Sequence, residues 1–275
     1  RFNVSDAAGN EAEEKEMIVV INADMTAPTV TLNGNAIDSV EVFSSYTDAG
    51  ATAFDACGLV GGVTVTNPVD INVVGTYTIT YSATDKNSNT GTITREVRVV
   101  DTEDPMISLT TADTITHDVN TPWAVPAVDT SDNYWTNMPV TIVDNVDPSE
   151  LGIYTVEYSV TDQSGNGPVS VMLYVDVVDN EAPVLSNNGS DTMVVDVNTT
   201  FRDPQVSITD NYDADQVSVA PSGSYYAEFG TTTFPETTPD VIGTYEIEYT
   251  GEDPSGNTAS VIRTVQVVDR VAPEI

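Results

Sequence analysis

Between residues 76 and 83 apolar and polar side chains alternate without a break. Tyr77, Ile79, Tyr81 and Ala83 fall on one face, with Thr76, Thr78, Thr80 and Ser82 on the other. A period of two predicts a half-buried β-strand. Asp85 and four further residues end this run. A second apolar run, TITREVRVV, follows at 92–100, with Ile93 near its start and Val97 and Val99 toward its end. An Asp that folds back on its own backbone, followed by Gly or Asn able to take positive φ, is turn chemistry, so the two runs form a hairpin. The same segment recurs as RFNVSDAAGN at 1–10, TYTITYSATDKNSN at 76–89, IYTVEYSVTDQSGN at 153–166 and TYEIEYTGEDPSGN at 244–257. In each, an Asp precedes an Asn by four positions: Asp6 and Asn10, Asp85 and Asn89, Asp162 and Asn166, Asp253 and Asn257.

A second motif follows each hairpin. It reads VINADMTAP at 20–28, VVDTEDP at 99–105, VVDNEAP at 177–183 and VVDRVAP at 267–273: apolar residues, an Asp, three residues and a Pro. The prolines set repeats of 77, 78 and 90 residues. Short strands with frequent turn signals and no helical periodicity, in repeats of this length, predict whole immunoglobulin-type sandwiches rather than blades or solenoid coils. The expected fold is all-β, with tandem immunoglobulin-like β-sandwich domains arranged end to end at 28–104, 105–182 and 183–272. Residues 1–27 read as the closing hairpin of a preceding domain and 273–275 as the start of a following one. A second reading makes 1–27 a loose hairpin that completes a neighbouring chain by strand addition.

The stretches YTDAGATAFDACG at 46–58 and GTYTITYSATDKNSNTGTITREVRVVDTEDP at 75–105 resemble bacterial immunoglobulin-like repeats, a group with hyalin-repeat-type modules and the Ig-like modules of surface adhesins. The resemblance covers nearly the whole chain and implies a fold rather than an activity. The chain departs from the hyalin form in lacking its cysteine pair. It also reads Ala-Cys-Gly after Asp55, where such repeats carry Asn or Asp.

Charge narrows the functional classes. Asp and Glu total 43 against 8 Lys and Arg, a net charge of −35. Such a chain repels phosphate, which argues against nucleic acid and against an anionic membrane surface. No apolar run reaches the length of a spanning helix, so no membrane insertion is expected in this segment. Cys57 is the single cysteine, so no internal disulfide can form.

In a sandwich of this kind the closing hairpin, the joint before the domain and the loop after the returning second strand share one end. Those elements are acidic. At the front of the third domain they are Asp179 and Glu181, then Asp210, Asn211 and Asp213, then Asp253 and Asn257. At the front of the second they are Asp101, Glu103 and Asp104, then Asp129, Asp132 and Asn133, then Asp162 and Asn166. Carboxylates gathered this closely call for a cation, and calcium takes oxygen ligands with loose geometry. One His and one Cys give zinc or copper almost nothing to use. The competing reading is that these Asp and Asn residues only form turns.

Nucleophile, zincin and phosphate-loop patterns are absent, and His117 and Cys57 fall in different domains, so the chain reads as non-catalytic. Two regions break the repeat. Tyr134 and Trp135 sit beside acid and amide groups, as in a sugar site, while Trp123 reads as core. About 12 extra residues within 221–240 carry Tyr225, Tyr226, Phe229 and Phe234, expected to touch a neighbouring chain. Sequons stand at Asn3, Asn188 and Asn198. The expectation is an extracellular stalk, filament or adhesin shaft on a bacterial or archaeal surface. Its partners would be copies of itself, other surface proteins or glycans. The alternatives are a carbohydrate-binding module and a spacer attached to a secreted enzyme.

Overall fold

The computed structural model describes residues 4–20, 22–230 and 236–272. The chain divides into two compact units, Arg1–Glu103 and Asp104–Ile275. The first holds β1 (Thr29–Leu32), β2 (Ile37–Glu41), β3 (Ala51–Phe54), β4 (Thr64–Thr66), β5 (Gly75–Thr84) and β6 (Thr90–Val100). β1 and β3 pair as one sheet, and the other four form the second in the order β2-β6-β5-β4. The long hairpin β5–β6 is the backbone of the sandwich. Its inward residues Ile79, Tyr81, Ala83 and Val97 pack on Val30 of β1, which is the face that the alternating pattern predicts.

The second unit holds two more sandwiches. One is built from β7 (Met106–Leu109), β8 (Thr114–Asp118), β9 (Val128–Ser131), β10 (Val140–Asp144), β11 (Gly152–Val160) and β12 (Val169–Val178). Its sheets are β7-β9 and β10-β11-β12-β8. The other comprises β13 (Val184–Asn187), β14 (Thr192–Asp196), β15 (Phe201–Arg202), β16 (Val206–Thr209), β17 (Ser218–Ser222), a helix α1 (Ser224–Phe229), β18 (Glu236–Thr237), β19 (Gly243–Glu252) and β20 (Thr258–Val268). Its main sheets are β13-β16 and β14-β20-β19-β17, with the short pair β15-β18 beside them.

One element differs from the sequence expectation. The strand that returns beside the first is the third, not the second. The intervening strand crosses to the other sheet and runs parallel to the last one, as in Ile37↔Glu96 to Glu41↔Val100. IDSVE is short, and only partly covered along its length, so it carries too weak a period to be read as a strand. The loop after β3, β9 or β16 still arrives where the acidic argument needs it.

The aromatic insertion is a correction. Tyr225 and Tyr226 are 0% and 5% exposed and belong to the core of the third sandwich, with Phe229 packed against them. The six-residue helix turns its rings inward against β19, where Tyr225 meets Phe201 and Tyr245 edge-on. The Tyr226 hydroxyl donates to Asp203 at 3.0 Å. Residues this covered are not a surface for a neighbouring chain. Phe234 lies outside the described residues.

A buried arginine is the other departure. On β6 the inward set is Ile93, Arg95, Val97 and Val99, and Arg95 is wholly buried. Its guanidinium pairs with Asp48 and donates to the carbonyls of Asn33 and Asn35. The Tyr81 hydroxyl also donates to Asp48, at 2.5 Å. Arg263 repeats the arrangement on β20, paired with Asp203 at 2.5 Å with both side chains fully covered. The register shows that these are one position: Arg95 faces Ile79, Arg263 faces Ile247, and in the middle sandwich Leu173 faces Val156. Asp48 and Asp203 each lie three residues before the returning strand, and in the middle sandwich that place is Val125.

Gly91 marks where the joint presses on β6. A Cβ built there would stand 1.9 Å from the Pro28 carbonyl oxygen. Gly91→Ala is expected to destabilise the first unit by about 1–3 kcal/mol, the usual cost of overpacking. Calorimetric melting of the full chain checks this, and an unchanged first transition would show that the joint shifts freely.

Candidate metal centre

The hairpin Asp and Asn residues have a structural role in all four repeats. In each, one Asp oxygen accepts the Asn backbone N–H and the other accepts the Asn side-chain amide. At Asp253 and Asn257 these bonds are 2.8 and 2.9 Å, and at Asp162 and Asn166 they are 2.8 and 2.7 Å. Asp85 with Asn89 and Asp6 with Asn10 are clasped in the same way. The remaining amide hydrogen of Asn257 reaches the Asp179 carbonyl at 3.1 Å, and that of Asn89 reaches the Asp24 carbonyl at the same distance. The clasp thus closes the turn and ties it to the joint. Asn257 holds Asp253 through its backbone N–H and one amide hydrogen, and the joint through the other, so this amide serves the turn rather than a cation.

Turn formation does not account for everything. Carboxylate oxygens of Asp179, Asp210 and Asp253 lie within 4.8 Å of one another. Asp179 and Asp253 are 6% and 4% exposed. One Asp179 oxygen accepts the Glu181 N–H at 3.1 Å, while the other, fully covered, has no hydrogen-bond partner. Neither Asp210 oxygen has a well-formed hydrogen bond, and both are covered. A covered polar atom without a partner costs about 1–3 kcal/mol, and more when charged. Burial raises the Asp210 carboxyl above its ordinary value. The Asn211 backbone N–H pulls it partly back, and the charges of Asp179, Asp253 and Glu181 add to the rise. The group is therefore strained by like charge and short of donors, and it consists only of hard oxygen. Such a set fits calcium and offers no nitrogen or sulfur to a softer ion.

Other expected ligands stand elsewhere. Glu181 is exposed, close enough to act on Asp210 through its charge. Asp213 has φ 52° and its carbonyl accepts the Gln216 N–H, opening a short 3-10 turn. The Asn211 carbonyl accepts the Asn120 side-chain amide of the middle sandwich at 2.8 Å, while both polar atoms of its own side chain are covered and without a hydrogen-bond partner. In that sandwich Asp132 and Asp162 hold the places of Asp210 and Asp253. One Asp132 oxygen takes the N–H groups of Tyr134 and Trp135 at 2.9 and 2.7 Å, and the other is covered and unpartnered. Asp104 accepts the Gly167 N–H at 2.9 Å. Asp129 is a correction: it lies on β9 itself and is exposed, so the alternation of the strand carries it away from the loop. Asn133 is exposed. Asp101 and Glu103 close the first unit, where Asp101 accepts the Glu103 N–H at 3.4 Å.

Sequence reasoning missed one grouping, Asp24, Asp55 and Cys57. The joint and loop Asp residues were visible there, but Ala-Cys-Gly argued against a site. The Cys57 thiol is held above its ordinary value, first by its hydrogen bond to Asp24. That is the opposite of what a thiolate ligand or nucleophile requires.

Trp123 packs on the core of the middle sandwich, as expected, and its N–H donates to Asp144 at 2.9 Å. Trp135 is half-buried, spends its N–H on the Ser164 hydroxyl at 2.9 Å and meets Tyr134 edge-on, so little of its polar edge remains for a sugar. Asn188 and Asn198 are exposed, and Asn3 lies outside the described residues.

Residues 30–99 and 107–172 match the family described as bacterial surface protein, Ig-like domain. Hyalin of Strongylocentrotus purpuratus is 31% identical over 98% of this chain and 23% of its own length. Hyalin of Lytechinus variegatus is 27% identical over 96% of this chain and 51% of its own. The chain thus spans about half or less of these curated relatives. Among solved structures, mouse cadherin-23 EC22-24 aligns over 88% of this chain and 99% of its own, at 15% identity and a TM-score of 0.34.

Proposed function

We propose that this chain, whose residues 30–99 and 107–172 match the family described as bacterial surface protein, Ig-like domain, is a non-catalytic, extracellular spacer. Domains at 28–104, 105–182 and 183–272 would form part of a surface stalk, filament or adhesin shaft. In this reading a divalent cation, calcium by its chemistry, is held by Asp179, Asp210 and Asp253 where the joint enters the third domain. The observation that carries it is the unpartnered, covered oxygen of Asp179 facing two further carboxylates. The cation supplies the positive charge that lets these groups stay ionised together; Asn257 holds Asp253 and the joint in place around it. Asp179 belongs to the strand leaving one domain, and Asp210 and Asp253 to loops of the next. Ligation across that joint limits its bending. Among the described residues no helix is long and apolar enough to cross a membrane. Acid on nearly every repeat suits a partner that is another copy or another surface protein bridged by cations, rather than nucleic acid.

Calcium titration and calorimetric melting of the full chain test this. At a hundredfold excess over the dissociation constant, bound calcium stabilises by about 2.7 kcal/mol, and one melting transition should rise when calcium replaces chelator. No heat of binding and identical melts would leave the recurring Asp residues as turn formers alone.

A further inference from the structure

The loop that carries Asp210 continues as Asn211 and Tyr212, and both reach the middle sandwich. The Asn211 carbonyl accepts the Asn120 side-chain amide of the middle sandwich at 2.8 Å. Tyr212 is half-buried and packs, as Val146 does, against that sandwich's core cluster, whose members include Val119. Its hydroxyl points to Glu150 at 3.5 Å. The receiving surface is made of two loops, one around Asn120, whose N–H donates to Pro148 at 2.7 Å, and one around Glu150. The same three residues that place a carboxylate in the cluster thus dock the third domain onto the second.

We propose that Asp210–Tyr212 is a coupling element: cation binding at Asp210 fixes Asn211 and Tyr212 against the preceding domain, and the docked Tyr212 in turn holds Asp210 ready for the cation. This rests on the cation reading above. The warrant is that Asp210, Asn211 and Tyr212 are consecutive, so fixing one end of so short a stretch restricts where the other can lie. Coupling between two such contacts is reciprocal by thermodynamic necessity. Sequence controls the element. The first unit has Ala56 and Cys57 after its loop Asp55, both exposed, so it has no ring to dock.

The test uses the full chain, with calcium chloride or chelator, and follows hydrogen exchange in the segments 118–122 and 145–151. Neither segment contributes a carboxylate to the cluster. In the wild-type chain, chelation should raise exchange in both. Tyr212→Ala should raise it in the presence of calcium and weaken calcium binding about tenfold, within the usual range of coupling. Tyr212→Phe keeps the ring and should preserve both, which separates docking from the hydroxyl contact. Calcium affinity in Tyr212→Ala within twofold of wild type, with exchange indifferent to chelation, overturns the coupling while leaving the cation site. If the wild-type chain binds no calcium, the cation reading falls and the coupling with it. A rise in exchange on Tyr212→Ala under chelator would then show a dock that serves the joint without an ion.

Discussion

Arg95→Leu is expected to destabilise the first unit by about 3–5 kcal/mol, and the further change Asp48→Val to restore most of that loss. Removing the guanidinium alone leaves Asp48, largely covered, with the Tyr81 hydroxyl and no counter-charge, and breaking such a pair from one side is the costly case. A domain has only about 5–15 kcal/mol in all, and at roughly 4–8 °C per kcal/mol for its size the first transition should fall by well over 10 °C. The double change copies what the middle sandwich already contains. There Leu173 and Val125 stand in place of the pair, and the Tyr158 hydroxyl, equivalent to Tyr81, donates to the Pro126 carbonyl at 2.9 Å. The Ala49 carbonyl lies at the matching position for Tyr81. The chain therefore holds an ionic and an apolar solution to one core position, side by side. Calorimetry on the full chain with the single and double changes measures the difference. A double change as damaging as the single would mean that the carbonyls of Asn33 and Asn35, left without their donor, dominate the cost.

The same position shows where sequence reading stops. The hairpin β5–β6 is legible because the unbroken alternation over 76–83 overrides local propensity, and because its turn uses residues that have few other uses. Arg95 lies in register with Ile93 and Val97, so the pattern itself places it inside. A rule that treats charge as outward hides it, since burial of an arginine depends on a partner 47 positions earlier. The short strand at Ile37–Glu41 was missed because five residues with two acids carry no clear period. The insertion at 221–240 was read as surface because length and aromatic content say nothing about which way rings point. Only the docking of Ser224–Phe229 on β19 decides that. In the site, topology brings joint, loop and hairpin to one end of the domain, and carboxylate oxygens of Asp179, Asp210 and Asp253 lie within 4.8 Å of one another. The separation of clasp from ligand did not follow, because Asn257 and Asp253 form one sequence motif and differ only in which atoms remain free.

Asp210→Asn should stabilise the third domain in chelator and destabilise it, relative to wild type, in calcium. Burial and three neighbouring acids raise the Asp210 carboxyl in the cation-free fold. A carboxyl with a folded pKa above its unfolded value binds protons more tightly when folded. Its contribution to stability is therefore greatest below the unfolded value, near pH 3.9, and is lost as pH rises through the folded value. At pH 7 in chelator the wild-type chain bears the full repulsion, and the asparagine variant is free of it. The advantage of the variant should shrink as pH falls toward 4, because wild-type Asp210 then takes up a proton. Calcium inverts the order, since it binds the ionised form and competes with that proton. The wild-type chain gains about 2.7 kcal/mol at a hundredfold excess over its dissociation constant, and the variant, short of one ligand, gains less. The calcium-dependent gain should also vanish on acidification, whereas turn stabilisation by the Asp253–Asn257 clasp is present with or without the ion. Melting both chains at pH 4, 5.5 and 7, with calcium and with chelator, separates the two. If Asp210→Asn lowers the melting temperature equally in both media, Asp210 serves the fold as a turn former. The shortage of hydrogen bonds around it would then be met by something other than a cation.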